Sequence, residues 1–198
     1  MSAMIDAVFE IRGTSLPRHY QGELWSTLAG CLPWLESEPL AGLLEIRASL
    51  SGGTYLLPRR ARLGLRVPVA RADDAMSLSG REFEVGGQPL SVGRGLTRAL
   101  VPQPTLGTPF LVTGARDELE HQTRVAELLE RIGLPQRFIC GRMGESPGAA
   151  GETLRGAPVV LHQLRDEQSM RVQFEGLGPN RSLGFGLFAP RKLISGIE

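Results

Sequence analysis

Hydrophobic and polar side chains alternate along several short stretches of the chain, which is the pattern of half-buried β-strands. In the first half of the chain, the pattern predicts strands at residues 6–13, 43–49 and 61–68, and a strand pair over residues 82–92 that turns at Gly86 and Gly87. A helical spacing follows the first strand and predicts a helix over residues 17–32, carried by Tyr20, Leu24, Leu28 and Leu32. A shorter helix is predicted at residues 69–78. The resulting order, β-α-β-β-α-β, is that of a ferredoxin-like domain.

The second half of the chain repeats this order less clearly. Its predicted strands are residues 97–101 or 110–113, then 137–142, 157–161 and 185–188, and its predicted helices are residues 117–132 and 166–175. Residues 144–151 are rich in Gly, Ser, Pro and Ala, which predicts a loop. We therefore expect an α+β fold of two tandem ferredoxin-like (RRM-like) domains, covering residues 1–95 and 96–198.

The composition fits two small domains and narrows the class of protein. The chain has 198 residues, which allows one medium domain or two small ones, and 41% of them are hydrophobic, which is enough for buried cores. It contains no apolar run of about 18 residues and no visible secretory signal, so we expect a cytoplasmic protein without a membrane partner. Cys31 and Cys140 do not have the spacing of metal ligands, and no group of histidines and carboxylates has it. We therefore predict no metal site and no cofactor.

Positive charge is unevenly distributed, although the net charge is only +1. One basic cluster without acidic residues contains Arg59, Arg60, Arg62, Arg66 and Arg71. A second, near the C-terminus, contains Arg181, Arg191 and Lys192. Arginine suits the geometry of phosphate, but a GC-rich genome explains a chain with 21 arginines and one lysine equally well.

A glycine-rich segment, residues 176–190, carries the strongest pattern for ligand binding. It holds no acidic residue and includes Gly176, Gly178, Asn180, Arg181, Gly184 and Gly186. Glycine removes the Cβ and tolerates positive φ, so that backbone N–H groups and one guanidinium can approach a phosphate chain. The pattern predicts an RNA-binding loop, and the alternative is a surface turn before a strand.

Several pieces of sequence, in order along nearly the whole chain, resemble the CRISPR RNA-processing endoribonucleases of the RAMP superfamily, most closely their short variant form. These pieces are residues 7–13, 16–20, 32–34, 100–102, 141–142 and the glycine-rich segment. The resemblance implies the same tandem fold and cleavage of CRISPR repeat RNA at the base of a hairpin. It also implies that the product hairpin stays bound, with other subunits of a CRISPR effector complex as partners.

His19 is the main catalytic candidate among three histidines. Attack of a 2′-hydroxyl on its neighbouring phosphate needs a proton acceptor, a proton donor for the leaving 5′-oxygen and cations for the developing charge. Histidine exchanges protons near neutral pH, and arginine can stabilise the charge. In the resembled family, a histidine in or just after the first helix usually acts as general base or acid, and here only His19 occupies that region.

The remaining site residues are weaker candidates. Tyr20 is a second catalytic candidate, but its place in the helical stripe also fits a core position. We expect His121 on the surface of an acidic helix and His162 in a structural role. The candidates for RNA binding are Arg18, Arg142, Arg155, Gly176, Gly178, Asn180, Arg181, Gly184, Gly186 and Lys192. Of these, Arg142 and Arg155 would contact the hairpin stem, and Lys192 is the one lysine available to a site that includes lysine in some family members.

Two other functions remain open at this point. The first is a protein of the same fold that holds the repeat hairpin but does not cut it, with His19 inert. The second is a scaffold of the same fold without an RNA partner, which the nearly neutral net charge favours.

Overall fold

The structure, a computed structural model, describes residues 3–191. It divides into two compact units, the first comprising Met1–Leu100 and Arg181–Gly184, and the second Val101–Asn180 and Phe185–Glu198. The predicted domain boundary, between residues 95 and 96, therefore lies inside the last strand of the first unit. A short stretch of the glycine-rich segment belongs to the first unit by its contacts.

The first unit contains a larger and a smaller sheet and two α-helices. In chain order its elements are β1 (Met4–Arg12), β2 (Ser15–Pro17), α1 (Gln21–Cys31), β3 (Gly42–Leu44), β4 (Ser49–Ser51), β5 (Thr54–Leu56), β6 (Arg62–Pro68), α2 (Ala72–Met76), β7 (Glu82–Val85) and β8 (Gln88–Ala99). Short 3-10 turns at Pro33–Ser37 and Val69–Arg71 follow α1 and precede α2.

The larger sheet is antiparallel and has the order β3-β6-β1-β8-β7. Strand β1 lies between β6 and β8, as in a ferredoxin-like domain, and β7 is an added edge strand. The alternation predicted for β1 is confirmed, because Ala7, Phe9 and Ile11 are buried in one core with Leu24 and Leu28 of α1.

The first helix begins later than predicted. Residues 15–17, which we expected in the helix cap and first turn, form β2 and pair with β5. The smaller sheet has the order β2-β5-β4. Because β2 ends at Pro17, residues 18–20 form a turn, and α1 begins only at Gln21.

The second unit repeats the ferredoxin-like order. Its elements are β9 (Leu106–Val112), α3 (Glu118–Arg131), β10 (Phe138–Cys140), β11 (Gly144–Pro147), β12 (Thr153–Leu161), α4 (Asp166–Glu175) and β13 (Ala189–Pro190). The sheet order is β10-β12-β9-β13, with β11 also paired to β12. The core between sheet and helices includes Leu106, Val125, Leu129, Val159 and Phe188. The chain therefore folds as two tandem ferredoxin-like domains, as predicted.

Two local predictions in the second unit are wrong. Much of the predicted loop at residues 144–151 is β11, which forms a hairpin with β12 because its backbone pairs in register with residues 153–156. The predicted strand at residues 185–188 is a buried turn, and the last strand is the short β13. Within residues 3–191, no helix is long and apolar enough to cross a membrane.

Candidate active site

The turn between β2 and α1 presents Arg18 and His19 at the surface of the first unit. We expected His19 in the first helix, but it precedes that helix by two residues. Strand β2 leads into the turn and is held by backbone pairing, with Leu16 opposite Tyr55 and Pro17 opposite Thr54. The imidazole of His19 is therefore exposed on a turn whose entry is fixed by a sheet.

Tyr20 follows His19 and anchors the end of the same turn, because its side chain lies in the core. It is only 4% exposed, and its hydroxyl accepts a hydrogen bond from the Ile46 N–H at 3.3 Å. Its ring packs edge-on against Tyr55, with 5.8 Å between the centroids. Burial raises the pKa of Tyr20 further above its ordinary value, so the phenol does not readily lose a proton. The structure thus favours the core alternative for Tyr20 over proton transfer.

Arg181 is buried rather than exposed at the surface. Its side chain is 8% exposed, and its guanidinium donates to the Leu40 carbonyl oxygen from Nε at 3.2 Å and from Nη2 at 2.9 Å. Burial, and then the positive charge of Arg66, lower the pKa of Arg181 to about 10. These contacts favour a structural role, because a buried guanidinium that donates to a backbone carbonyl is turned away from an RNA strand in solvent.

The glycines around Arg181 are also explained by packing. An added Cβ at Gly186 would overlap the Leu177 carbonyl, and one at Gly184 would lie 2.7 Å from the Leu43 carbonyl oxygen. Both glycines have positive φ, which a larger side chain adopts with strain. Gly176 ends α4 and is buried. Within the predicted RNA-binding loop, only residues 178–180 are partly or fully exposed before the chain turns inward.

The first basic cluster separates into buried and exposed members. Arg66 is fully buried and forms a bidentate ion pair with Asp6, from Nε to Oδ1 at 2.8 Å and from Nη2 to Oδ2 at 3.1 Å. On the surface, Arg62 pairs with Glu10 at 2.8 Å, and the hydrogen bond from Arg62, together with its charge, lowers the pKa of that carboxyl. Arg59 and Arg60 are exposed in the turn after β5. The cluster read from the sequence is therefore not one cationic surface.

The arginines predicted to hold an RNA hairpin stem lie at the β11–β12 hairpin of the second unit, one just before it and one on β12. Arg142 is exposed immediately before β11. Arg155 is exposed on β12, where its Nε lies 3.0 Å from Oε1 of Glu145 on the facing strand. Lys192 lies outside the described residues. The sequence did not predict this hairpin, because β11 has only four residues and contains glycine and proline, which are typical of loops.

The other two histidines do not compete with His19. His121, expected on the surface, is 1% exposed, since it lies on the apolar face of α3 and its Nδ1 pairs with the Thr113 hydroxyl at 2.7 Å. Burial lowers its pKa. His162 is half-buried directly after β12. Of the three histidines, His19 alone is exposed.

Comparison with known proteins decides the family. Residues 5–193, nearly the whole chain, match the family described as "Cas6 Crispr". The chain belongs to the Cas6 family. A Cas6 relative from Myxococcus xanthus (strain DK1622), named CRISPR-associated endonuclease Cas6, is 30% identical over 191 residues, which are 96% of this chain and 83% of the relative. The resemblance to CRISPR RNA-processing proteins is thus confirmed at the level of the family.

Solved Cas6-like structures show the same fold at much lower identity. The product of a Cas6-related gene from Pyrococcus furiosus is 14% identical with a TM-score of 0.59, over 94% of this chain and 98% of the other. The CRISPR endoribonuclease Cse3, solved with a 19-nucleotide RNA, is 14% identical with a TM-score of 0.54, again over 94% and 98%. At this identity the likeness establishes the architecture of this Cas6 family member and not its site residues.

Proposed function

We propose that this Cas6 protein is an endoribonuclease that cleaves CRISPR repeat precursor RNA into guide RNA without a metal ion. The observation that carries the proposal is the exposed His19 on a turn fixed at its entry by β2 and at its exit by Tyr20. Membership of the family and the endonuclease name of the Myxococcus relative support it. The RNA bound to Cse3 supports RNA as the ligand class.

In the proposed reaction, the 2′-hydroxyl of one nucleotide attacks the adjacent phosphorus. The new O2′–P bond forms as the P–O5′ bond breaks, which leaves a 2′,3′-cyclic phosphate on one product and a 5′-hydroxyl on the other. His19 takes the 2′-proton or gives a proton to the leaving 5′-oxygen, and general acid–base catalysis of this kind contributes about 10²- to 10⁴-fold in rate. Arg18, exposed beside His19, offers positive charge to the phosphorane oxygens.

The proposed RNA-binding surface lies in the second unit. Arg142, just before β11, and Arg155, on β12, contact stem phosphates, since both residues are exposed. In the glycine-rich segment, the exposed Gly178 and the half-buried Asn180 add backbone contacts. Retention of the 3′ hairpin after cleavage, within an effector complex, is part of the same proposal.

One observation favours a second candidate, a Cas6 protein that binds the repeat without cutting it. Tyr20, the second predicted catalytic side chain, is buried and bound to the Ile46 N–H. The proton transfers then depend on His19 and on groups that the sequence analysis did not identify. An inactive site and an active one would share the same RNA-binding surface.

The direct test uses a repeat RNA from the CRISPR locus of the same genome, incubated with the protein in EDTA. The cleavage position is mapped first, and a matched RNA then carries a single 2′-deoxy nucleotide at that position. We expect the all-ribose RNA to be cut to a cyclic phosphate and the 2′-deoxy RNA to be bound equally well but left intact.

The other outcomes separate the alternatives. Binding of both RNAs without cleavage of either would leave the hairpin-holding protein. Cleavage of the 2′-deoxy RNA would overturn the proposed reaction, and dependence on added metal would overturn its metal independence. No binding at low salt, where phosphate contacts are strongest, would leave the scaffold.

A further inference from the structure

The turn between β7 and β8 packs against the segment that leads into His19. An added Cβ at Gly86 would overlap the Pro17 ring, so the backbone of Gly86 touches the proline with no room for a side chain. Gly86 also has a φ of +59°, in the left-handed region that glycine adopts without strain. Pro17 ends β2, two residues before His19. The β7–β8 turn therefore supports the entry of the His19 turn.

Glu23 ties the same β7–β8 turn to the helix that follows His19. It lies in the first turn of α1, and its Oε1 accepts a hydrogen bond from the Gly86 N–H at 2.7 Å. A hydrogen bond to a charged carboxylate is shorter and stronger than one between neutral groups. Ser15 of β2 and Gln88 of β8 add a side-chain hydrogen bond of 3.3 Å. One turn thus contacts the strand before His19 and the helix after it.

We propose that Glu23 and Gly86 form a positioning clamp for His19. Glu23 holds the β7–β8 turn against Pro17, and the turn keeps the His19 backbone where its imidazole reaches the reacting 2′-hydroxyl or 5′-oxygen. The proposal rests on the assignment of proton transfer to His19. Neither Glu23 nor Gly86 touches RNA in this arrangement, so both act through the position of His19. Position matters for rate, because a displacement of about 1 Å can cost about 10²-fold.

Glu23 offers a substitution series that separates the hydrogen bond from the charge. Glu23→Ala removes both, whereas Glu23→Gln keeps an oxygen that can accept from the Gly86 N–H. Glu84→Ala is the matched charge control, because Glu84 is an exposed carboxylate on β7, next to the same turn. A positioning role predicts a defect in Glu23→Ala, recovery in Glu23→Gln and wild-type behaviour in Glu84→Ala.

Gly86 has an equally close control in its neighbour. Gly86 and Gly87 both have positive φ, at +59° and +72°, so alanine strains the backbone at either position. Only at Gly86 does the added methyl meet Pro17, since nothing lies within 4 Å of a Cβ at Gly87. Gly86→Ala should therefore disturb His19, while Gly87→Ala reports the cost of backbone strain alone.

Three quantities are measured for the wild type and these five variants: the single-turnover cleavage rate at saturating protein, the affinity for uncut repeat RNA, and the ¹⁵N order parameters of residues 18–20. We expect Glu23→Ala and Gly86→Ala to cut at least about tenfold more slowly with unchanged affinity. Their order parameters should fall from about 0.85, the value of a rigid backbone. The other three variants should match the wild type in all three quantities.

The result that would overturn the clamp is a Glu23→Ala protein with wild-type order parameters and rate. Equal slowing by Gly87→Ala, or a loss of RNA affinity that accounts for the slower cleavage, would also overturn it. If the wild type binds repeat RNA but does not cut it, the proposed endonuclease function fails. Unchanged order parameters in Glu23→Ala would then overturn the clamp as well, and lowered ones would support its structural part.

Discussion

The sequence predicted two functional regions in this Cas6 protein, and in the structure one of them is exposed and the other is largely buried. Residues 18–19 lie exposed on a turn between β2 and α1. Residues 183–188 of the glycine-rich segment are buried, and Arg181 before them is bound to the Leu40 carbonyl. One part is therefore open to a ligand, and the other is part of the protein interior.

The difference teaches what glycine can and cannot indicate. Glycine permits close backbone approach and positive φ, but a phosphate and a neighbouring carbonyl both make use of that freedom. At Gly186 the group that approaches is the carbonyl of Leu177. A histidine in a turn carries a different kind of information, because its chemistry is specific and its value depends mainly on exposure.

The largest effect on folding that this comparison predicts is at Gly186. Gly186→Ala introduces a methyl into the Leu177 carbonyl at a φ of +65°, and we expect a loss of about 3 kcal/mol or more in the free energy of unfolding. Gly151→Ala, with a φ of +83° and open space around the methyl, should cost about 1–2 kcal/mol. Urea denaturation of both variants measures the difference, and equal losses would show that the segment is not closely packed.

Arg181 and Arg142 should separate stability from RNA affinity. Arg181→Ala removes a buried donor from the Leu40 carbonyl, and we expect a loss of about 1–3 kcal/mol of stability with little change in the salt dependence of RNA binding. Arg142→Ala should leave stability unchanged and lower the slope of log affinity against log salt by about 0.7 to 0.9 for one phosphate contact. Urea melts and a salt titration measure the two. If Arg181→Ala instead lowered the salt slope and kept its stability, Arg181 would be an RNA-binding residue.

The smallest effect concerns His121, whose burial was not expected from the sequence. Burial lowers its pKa below the ordinary 6.5, so the unfolded chain binds more protons than the folded one when the pH falls below that value. The contribution is fully present above pH 6.5 and is lost as the pH falls towards the lowered pKa. We expect His121→Gln to reduce the loss of stability between pH 7.5 and 5. An unchanged pH dependence in urea melts would contradict this assignment.

The fold was largely predictable because its periodicity is local. Strand β1 shows its buried face in Ala7, Phe9 and Ile11, and α3 begins at a side chain that caps it, since Asp117 accepts from the Glu120 N–H at 2.8 Å. Strand β11 and the buried turn at residues 185–188 were not predictable, because partners distant in sequence decide both. Residues 144–147 contain glycine and proline, and they form a strand because they pair with β12.

The sequence predicted which side chain of the candidate site could transfer a proton, but not how that side chain is positioned. His19 could be found because it is a titratable side chain near the first helix, but its exposure depends on the pairing of β2 with β5. Gly86 was predicted only as a turn residue and Glu23 was not predicted at all, since the hydrogen bond between them joins residues 63 positions apart. Arg66 and Arg181 were read as surface charges because a sequence does not show which cations find buried acceptors.

The most direct test of the account is the single-turnover cleavage of repeat RNA by wild type and His19→Ala in EDTA, with RNA affinity measured in the same titration. His162→Ala is the control for loss of a histidine. The account predicts that His19→Ala cuts about 10²- to 10⁴-fold more slowly with unchanged affinity, while the control cuts at the wild-type rate. Cleavage by His19→Ala at the wild-type rate would contradict it.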